Sequence, residues 1–211
     1  MKRNKEKREL LLGLKPEPGL KEVLKYTKKG IALDIGAGKG RNSIFLAKNG
    51  FKVEAVDKIK EGLEKCKRIA KKHNLPIKLI LSDINEFEFK QNKYSLIIAI
   101  HTLTFLKFSE IKKLFKKIEN ALLAKGIVYL VVFSTKDPAF RKYKKKKLHL
   151  VEARTFYLPK LKIFRHFFTK RELITLLKNF KIIEINEEVK KDFHDKPHIH
   201  HLIKVIAKKS K

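Results

Sequence analysis

One stretch of the chain, residues Ile31–Asp57, constrains the fold more than any other. It begins with an apolar run, Ile31–Ile35, which leads into a turn with three glycines, Gly36–Gly40. A short helical segment, Arg41–Lys48, follows, and a second apolar run then ends at Asp57. The order strand, glycine-rich turn, helix, strand and acidic residue is typical of a βαβ unit that binds a nucleotide at the turn.

The residue types of this turn suit a ligand that lies against the main chain. Glycine has no Cβ and readily adopts positive φ, so a glycine turn allows a close approach to the backbone. The helix that begins near Arg41 directs free N–H groups at the turn. Asp57, at the end of the second strand, can accept hydrogen bonds from both hydroxyls of a ribose.

The spacing of the glycines indicates which nucleotide is bound. A dinucleotide site has the pattern Gly-x-Gly-x-x-Gly, whereas here Asp34 is followed by Gly36, Gly38 and Gly40. A carboxylate beside the turn repels a pyrophosphate but suits a ligand with a cationic end, such as the sulfonium and ammonium of S-adenosylmethionine (SAM). The pattern resembles motif I of the class I SAM-dependent methyltransferases. A plain turn without a ligand is the alternative interpretation of the glycines alone.

Further apolar runs predict the rest of the sheet. Strands three to five are predicted at Ile77–Leu81, Leu96–Ile100 and Ile127–Phe133, and strands six and seven near Lys181–Val189 and Ile199–Ala207. Alternation with helices predicts a doubly wound, mostly parallel α/β sheet of seven strands. Because no helix separates the last two strands, they should form a C-terminal antiparallel hairpin. The resemblance implies a Rossmann-like methyltransferase sheet in the order 3-2-1-4-5-7-6.

Two segments do not follow this alternation of strands and helices. Residues 1–19 should form a basic N-terminal arm or helix, and the methyltransferase domain should span residues 20–211. Residues of about 134–168 contain a basic run, Arg141–Lys147, and an aromatic and basic run, Phe156–Phe168. This insert is either a solvated loop with a packed helix, or a lid that faces the substrate, since it leaves the sheet on the side where ligands bind.

The composition limits the class of protein. Hydrophobic residues make up 43% of the 211 residues, which is enough for a packed core. No apolar stretch approaches the ~20 residues of a membrane span, and the N-terminus lacks the pattern of a secretory signal. The single cysteine, Cys66, shares a helical stripe with Ile59, Leu63 and Ala70, so it should be a core residue. We therefore expect a cytoplasmic protein without disulfides and without a membrane partner.

The net charge of +30 allows two interpretations. One is a nucleic-acid partner, and the other is lysine spread over every solvated face. Because lysines occur on almost every predicted helix, we expect any RNA binding to be weak and non-specific.

The carboxyl ends of strands one to four should meet at one crevice. Asp83 and Ile84 follow strand three, where the resemblance implies an acidic residue near the adenine; a helix N-cap is the alternative role of Asp83. His101 follows strand four. No Pro-Pro pair occurs in the chain, and Cys66 lies on another element, which weighs against methylation of base amino groups and of cytosine C5.

The region Gly36–Asp57 resembles, more narrowly, the tellurite-resistance type methyltransferases. The shared features are Gly40-Arg41-Asn42 and a Leu-Ala-x-x-Gly helix end at Leu46–Gly50, and Arg165–Leu173 fits related members. Ala37 departs from a frequent cysteine. The resemblance implies SAM as the cofactor and methyl transfer as the reaction. Residues expected at the cofactor are Asp34, Gly36, Ala37, Gly38, Gly40, Arg41, Asn42, Asp57, Lys58, Asp83, Ile84 and Ile100.

Four of the eight histidines lie close together, at His194, His198, His200 and His201. They allow three interpretations: a solvated turn, a metal site, or a role in binding or deprotonating the methyl acceptor. Methyl transfer from SAM needs no metal, so no metal site is expected. Imidazole can bind an oxyanion when protonated and accept a proton when neutral. The first candidates are His194 and His198, then His200, with His101 as a separate candidate.

The function expected from these observations is SAM-dependent methylation of a small molecule or a small oxyanion. An RNA methyltransferase, and a non-catalytic SAM-binding module associated with RNA, are the alternatives, and both are motivated by the charge.

Overall fold

The computed structural model describes residues 15–192 and 198–210. Its first elements are α1 (Leu20–Tyr26), β1 (Ile31–Ile35), α2 (Arg41–Lys48), β2 (Lys52–Asp57), α3 (Lys60–Lys72), β3 (Ile77–Leu81) and β4 (Tyr94–Ile100). After a 3₁₀ turn at Leu103–Phe105 come α4 (Phe108–Ala121), β5 (Leu122–Phe133), α5 (Pro138–Lys145), β6 (Leu150–Glu152), β7 (Thr155–Leu158) and β8 (Ile163–His166). The last elements are α6 (Lys170–Leu176), β9 (Phe180–Asp192) and β10 (His198–Lys209).

Seven strands form one sheet in the order β3-β2-β1-β4-β5-β10-β9. The first five strands run parallel, and β10 is antiparallel to both β5 and β9. The predicted doubly wound sheet and its C-terminal hairpin are therefore confirmed, with β9 and β10 as strands six and seven. Two strands begin earlier than predicted: β4 starts at Tyr94 and β5 at Leu122, and these two residues pair with each other.

Helices cover both faces of this sheet. All seven residues of β4 are buried, and successive side chains enter opposite cores. Ile97 packs with residues of α4 and α6 on one face, whereas Ile98 packs with residues of α1 and α2 on the other. Helices thus cover both faces of the sheet, whereas loops border the carboxyl ends of the parallel strands.

The insert of residues 134–168 has its own structure. It consists of α5 and a separate antiparallel sheet, β6-β7-β8. The interpretation as a solvated loop with a helix packed by its last aromatic residues is wrong, because Ile163–His166 forms a strand. Phe156 and Phe167 are buried between this sheet and the sheet of seven strands.

A buried polar network fastens the insert to α6. The carboxylate of Glu172 lies 2.6 Å from Nη2 of Arg154 and 3.3 Å from Nε2 of His166. The other ring nitrogen of His166 is 2.7 Å from the hydroxyl of Thr155. In addition, the hydroxyl of Thr104 donates to the carbonyl oxygen of His166 at 2.8 Å. The insert is therefore held against the segment that follows β4, beside the carboxyl edge of the sheet.

Residues 1–14 of the expected N-terminal arm lie outside the described residues. Residues 15–19 form a turn before α1, in which the N–H of Leu20 donates to the carbonyl oxygen of Glu17. No helix in the described part of the chain is both long enough and apolar enough to cross a membrane.

Candidate active site at the carboxyl edge of the sheet

The three glycines of the turn after β1 have different roles. All have positive φ, at 74° for Gly36, 54° for Gly38 and 78° for Gly40. A Cβ at Gly36 would lie 2.1 Å from the hydroxyl oxygen of Thr102, and one at Gly40 would lie 2.2 Å from the sulfur of Cys66. A Cβ at Gly38 would have no neighbour within 4 Å. Packing inside the protein thus requires glycine at the two outer positions, and only Gly38 borders open space.

Asp57 is anchored beside that space. Its Oδ2 accepts a hydrogen bond from the N–H of Gly38 at 2.7 Å, and its Oδ1 accepts one from the N–H of Ile59 at 2.8 Å. Because each carboxylate oxygen can accept a second hydrogen bond, the group remains able to bind two ligand hydroxyls in a fixed orientation.

Asp34 lies beneath the turn, with 1% of its surface exposed. Its Oδ2 accepts a hydrogen bond from the hydroxyl of Ser43 at 2.6 Å. The pKa of Asp34 is raised to about 6, mainly by burial; the hydrogen bond from Ser43 opposes this effect, and the negative charge of Asp57 adds to it. A cation at the turn would favour the ionised carboxylate.

The residues at the start of α2 connect this turn to the rest of the molecule. Asn42 is buried, and its side-chain oxygen accepts the N–H of Glu17 at 2.9 Å. Arg41 is half-buried at the first position of the helix. Within the turn, the N–H of Ala37 donates to the carbonyl oxygen of Val56, at the end of β2. Asn42 therefore positions the segment before α1, in addition to any contact with a cofactor.

The adenine end of the predicted site lies after β3. Asp83 caps the following turn, since its Oδ1 accepts the N–H of Asn85 at 3.0 Å, and its Oδ2 is 3.5 Å from the exposed ammonium of Lys58. Asp83 thus closes a turn; the helix that its alternative role as an N-cap required is not present between β3 and β4. Ile84 and Ile100 are almost fully buried, at 9% and 7% exposed.

Ile59 differs from the sequence prediction. It was expected on the buried stripe of a helix, but α3 begins at Lys60, and 56% of the surface of Ile59 is exposed. The reason is local: the carboxylate of Asp57 binds the N–H of Ile59 and so forms a turn before the helix. This places an exposed apolar side chain next to Asp57, at the edge of the crevice.

His101 lies at the opposite side of the turn. It has a positive φ of 60°, and it precedes Thr102, whose hydroxyl donates to the carbonyl oxygen of Ile35 at 2.7 Å. Nδ1 of His101 is buried without a hydrogen-bond partner among the described residues. The pKa of His101 is lowered to about 4, first by burial and then by the positive charge of Lys190, while the charge of Glu17 acts in the opposite direction. The imidazole is therefore neutral at pH 7.

His200 is held by a buried carboxylate that the sequence did not reveal as a site residue. Nδ1 of His200 lies 3.0 Å from Oδ2 of Asp137, which also accepts the N–H of His201. The other oxygen of Asp137 caps α5 through the N–H of Ala139. With Nδ1 bonded to a carboxylate, Nε2 of His200 faces outward, 3.1 Å from Nε2 of His198. Among the other candidates, His194 lies outside the described residues.

Phe133, the last residue of β5, is the common neighbour of this half of the site. Its ring centre lies 5.4 Å from that of His101 and 4.8 Å from that of His200. The guanidinium carbon of Arg165 lies 5.0 Å from the same ring centre. The structure thus brings His101, His198 and His200 together near the turn. Asp137, Phe133 and Arg165, which were not predicted as site residues, lie in the same cluster.

Comparison with known proteins yields one family. The model of the family described as "Tellurite resistance protein TehB" matches residues 16–141. A relative from Haemophilus influenzae (strain 10810), named "Probable S-adenosyl-L-methionine-dependent methyltransferase TehB", is 28% identical over 105 residues. That match covers 50% of this chain but only 36% of the relative.

Solved structures show the same fold. The crystal structure of TehB from Haemophilus influenzae superposes with a TM-score of 0.72 at 21% identity, and the match covers 92% of this chain and 62% of that one. The crystal structure of a SAM-dependent methyltransferase from Methanosarcina mazei also gives a TM-score of 0.72, at 22% identity, and the match covers 89% of this chain and 96% of that one. The predicted class I methyltransferase fold is therefore confirmed.

Proposed function

The chain belongs to the TehB family of tellurite resistance proteins, and we propose that it transfers a methyl group from SAM to a small molecule or a small oxyanion. The observation that carries this proposal is the carboxylate of Asp57, fixed by two backbone N–H groups beside the open space at Gly38. The name of the Haemophilus influenzae relative supports the same cofactor and reaction.

The residues around the turn fit SAM. Asp57 would bind the ribose hydroxyls, and the backbone at Gly38 would lie against the ligand because no side chain intervenes. Asp34 would face the cationic end of the ligand from below. Ile59 provides an exposed apolar surface for the adenine, with Asp83 and Lys58 at its margin.

SAM supplies an electrophilic methyl group, so the protein has to bind, align and deprotonate. Alignment of donor and acceptor at near-contact distance contributes up to ~7–11 kcal/mol to such a reaction. His200, oriented by Asp137, would present Nε2 to the acceptor, either as a base or as a donor to an oxyanion. His101, which is neutral, would border the acceptor on the side of the turn.

The RNA-directed alternatives have no support from the family match or from the relatives. The cytoplasmic location stays a prediction. The weak, salt-dependent RNA binding that the net charge suggests stays a prediction as well. A filter-binding titration at two salt concentrations would measure the latter.

Calorimetric titration with SAM and with S-adenosylhomocysteine tests the cofactor. We expect micromolar affinity for both ligands, lost in Asp57→Ala and unchanged in the control Glu61→Ala, which removes an equal charge from an exposed position on α3. Binding of NADH without binding of SAM would overturn the assignment.

A labelled-methyl assay tests the reaction and its acceptor. Tellurite, selenite, small-molecule extracts and total RNA would be offered with methyl-labelled SAM. Transfer to an oxyanion or a small molecule is expected, and transfer to RNA alone would reverse the proposal.

The histidines are tested by turnover. His194→Ala, His198→Ala and His200→Ala should each lower turnover by at least ~100-fold if the replaced imidazole acts on the acceptor, with almost unchanged affinity for SAM. His73→Ala, at an exposed position after α3, is the matched control. Full activity in all three variants would leave this cluster as a solvated polar turn.

A further inference from the structure

Arg165 is enclosed by two aromatic rings. Its guanidinium carbon lies 4.6 Å from the ring centre of Phe105 and 5.0 Å from that of Phe133. Such cation–π contacts attract the cation to the rings, and the N–H donors of the guanidinium lie in its plane. The edges of the group are therefore the part that remains for a hydrogen-bonding partner.

No partner for those edges exists within residues 15–192 and 198–210. Nε of Arg165 is buried without a hydrogen-bond acceptor, and the side chain forms no ion pair with a described carboxylate. Arg154, on the same insert, shows the contrast, because its guanidinium is paired with Glu172 at 2.6 Å. Burial lowers the pKa of Arg165, which reflects the loss of water from the cation. The charges of Tyr143 and Asp137 act in the opposite direction and raise this pKa, but no described carboxylate forms an ion pair with the guanidinium. A partly buried cation without a directly bound carboxylate leaves a position that suits an anionic ligand.

The position of Arg165 connects it to the proposed site. Phe133, which covers one side of the guanidinium, also contacts His101 and His200. His101 is followed by Thr102, whose hydroxyl lies beneath Gly36 of the cofactor turn. Arg165 is thus one aromatic ring away from the histidines that would face the acceptor.

Most of the charges that act on His101 are positive. After burial, the charges of Lys190, Arg41 and His200 lower the pKa of His101, and only that of Glu17 raises it. The nearby carboxylate of Asp137 is engaged by His200 and by two backbone N–H groups. Three of the four charges named around His101 are thus positive, which suits an anion on this side of the site.

Resting on the proposed methyl transfer, we infer that Arg165 binds the anionic oxygens of the acceptor through its in-plane N–H groups. Phe105 and Phe133 restrict the movement of the guanidinium, and its terminal nitrogens, which are not buried as Nε is, face the ligand. A guanidinium can bind two oxygens of one anionic group in this way, whereas a lysine ammonium binds as a point charge. The ligand is an inorganic oxyanion or the carboxylate of an organic acid.

Anion titration of the full chain tests this role. Sodium selenite and sodium benzoate, as probes for the two sources of the anionic group, would be titrated by calorimetry at constant ionic strength, with and without saturating S-adenosylhomocysteine. Arg165→Met should weaken the binding of the preferred probe about ten- to a hundredfold, the range for a hydrogen bond to a charged group. Arg165→Lys should lie between Arg165→Met and the unchanged protein. Arg141→Met, which removes an exposed arginine from the same insert, should match the unchanged protein.

The outcomes separate this inference from the proposed function. Equal anion affinity in Arg165→Met and the unchanged protein would overturn the role of Arg165, and so would failure of both anions to bind when S-adenosylhomocysteine binds. Failure of S-adenosylhomocysteine to bind would contradict the proposed function, while the titrations without it still decide the role of Arg165. If Arg165→Met does not fold, Arg165→Lys decides: an affinity equal to that of the unchanged protein rejects the inference.

Discussion

Gly36→Ala should destabilise the fold itself, apart from any effect on cofactor binding. A methyl group at this position would lie 2.1 Å from the hydroxyl oxygen of Thr102 and 2.5 Å from its methyl carbon. The hydroxyl cannot move freely, since it donates to the carbonyl oxygen of Ile35 at 2.7 Å. Gly38→Ala is the matched comparison, because it has a similar positive φ but no atom within 4 Å of the added carbon.

Both variants lose free energy of unfolding through the positive φ, but only Gly36→Ala also loses it through a steric clash. Holding an alanine at positive φ costs about 1–2 kcal/mol at either position. At Gly36, overpacking against Thr102 adds about 1–3 kcal/mol. The expected loss is therefore about 2–5 kcal/mol for Gly36→Ala, a large part of the ~5–15 kcal/mol of a typical domain, and about 1–2 kcal/mol for Gly38→Ala.

Urea unfolding without cofactor, followed by calorimetric titration with S-adenosylhomocysteine, distinguishes the two effects. Gly36→Ala should unfold at lower urea than Gly38→Ala. Thr102→Ala should partly relieve the loss, with a coupling of about 1–2 kcal/mol between the two positions. Gly38→Ala should instead lose cofactor affinity. If Gly36→Ala unfolds at the same urea concentration as the unchanged protein, the packing explanation of this glycine is wrong.

Variants at three further positions test other parts of the structure. Asp57→Ala should weaken SAM binding at least about tenfold, because hydrogen bonds to a charged group are lost. Asp57→Asn should weaken it less. If calorimetry gives Asp57→Ala the same SAM affinity as the unchanged protein, this role of Asp57 is contradicted. The pKa of Asp34 is about 6 in the fold against 3.8 ordinarily, so the folded state binds the proton more tightly, and its contribution to stability is lost as the pH rises from about 4 to about 6. Urea unfolding at several pH values should show that the unchanged protein loses stability of the order of 3 kcal/mol over this range, whereas Asp34→Asn does not. If the stability of both proteins depends on pH in the same way, the raised pKa of Asp34 is refuted. Glu172→Ala should lower the free energy of unfolding by about 3 kcal/mol, since it leaves His166 and Arg154 without their shared carboxylate; a change of less than about 1 kcal/mol in urea unfolding would show that the network contributes little.

The sheet and the cofactor side could be predicted because their signals are local. Ile31–Asp57 places a strand, a turn, a helix and an acid in consecutive residues, so spacing alone predicts their geometry. The hairpin followed from the absence of a helix between β9 and β10. The three short strands of the insert gave no such signal, because three or four residues are too few to establish a period of two.

The cluster of His101, His198, His200, Asp137 and Arg165 near Phe133 could not be predicted, since its members are far apart in sequence. Asp137, Arg165 and His200 each look ordinary in their own segments. Only the packing of the insert and of β10 against the end of β5 places Arg165 and His200 at the ring of Phe133, with Asp137 bonded to His200. In the same way, local spacing suggested a core position for Ile59, but a backbone hydrogen bond to Asp57 decided its exposure.

The insertion of β10 between β5 and β9 bears on the order of folding. Leu202 pairs with Phe133 and Lys208 with Ile127, so these contacts close a loop that contains the whole insert and β9. Closing such long loops slows folding, whereas the pairing of β1 with β2 joins neighbouring segments. The cofactor side can therefore form early, while the histidine side assembles only when the C-terminal hairpin docks. During synthesis, the edge of β5 would stay uncovered until β10 has left the ribosome, and in that interval a chaperone or a strand of another chain could pair with it.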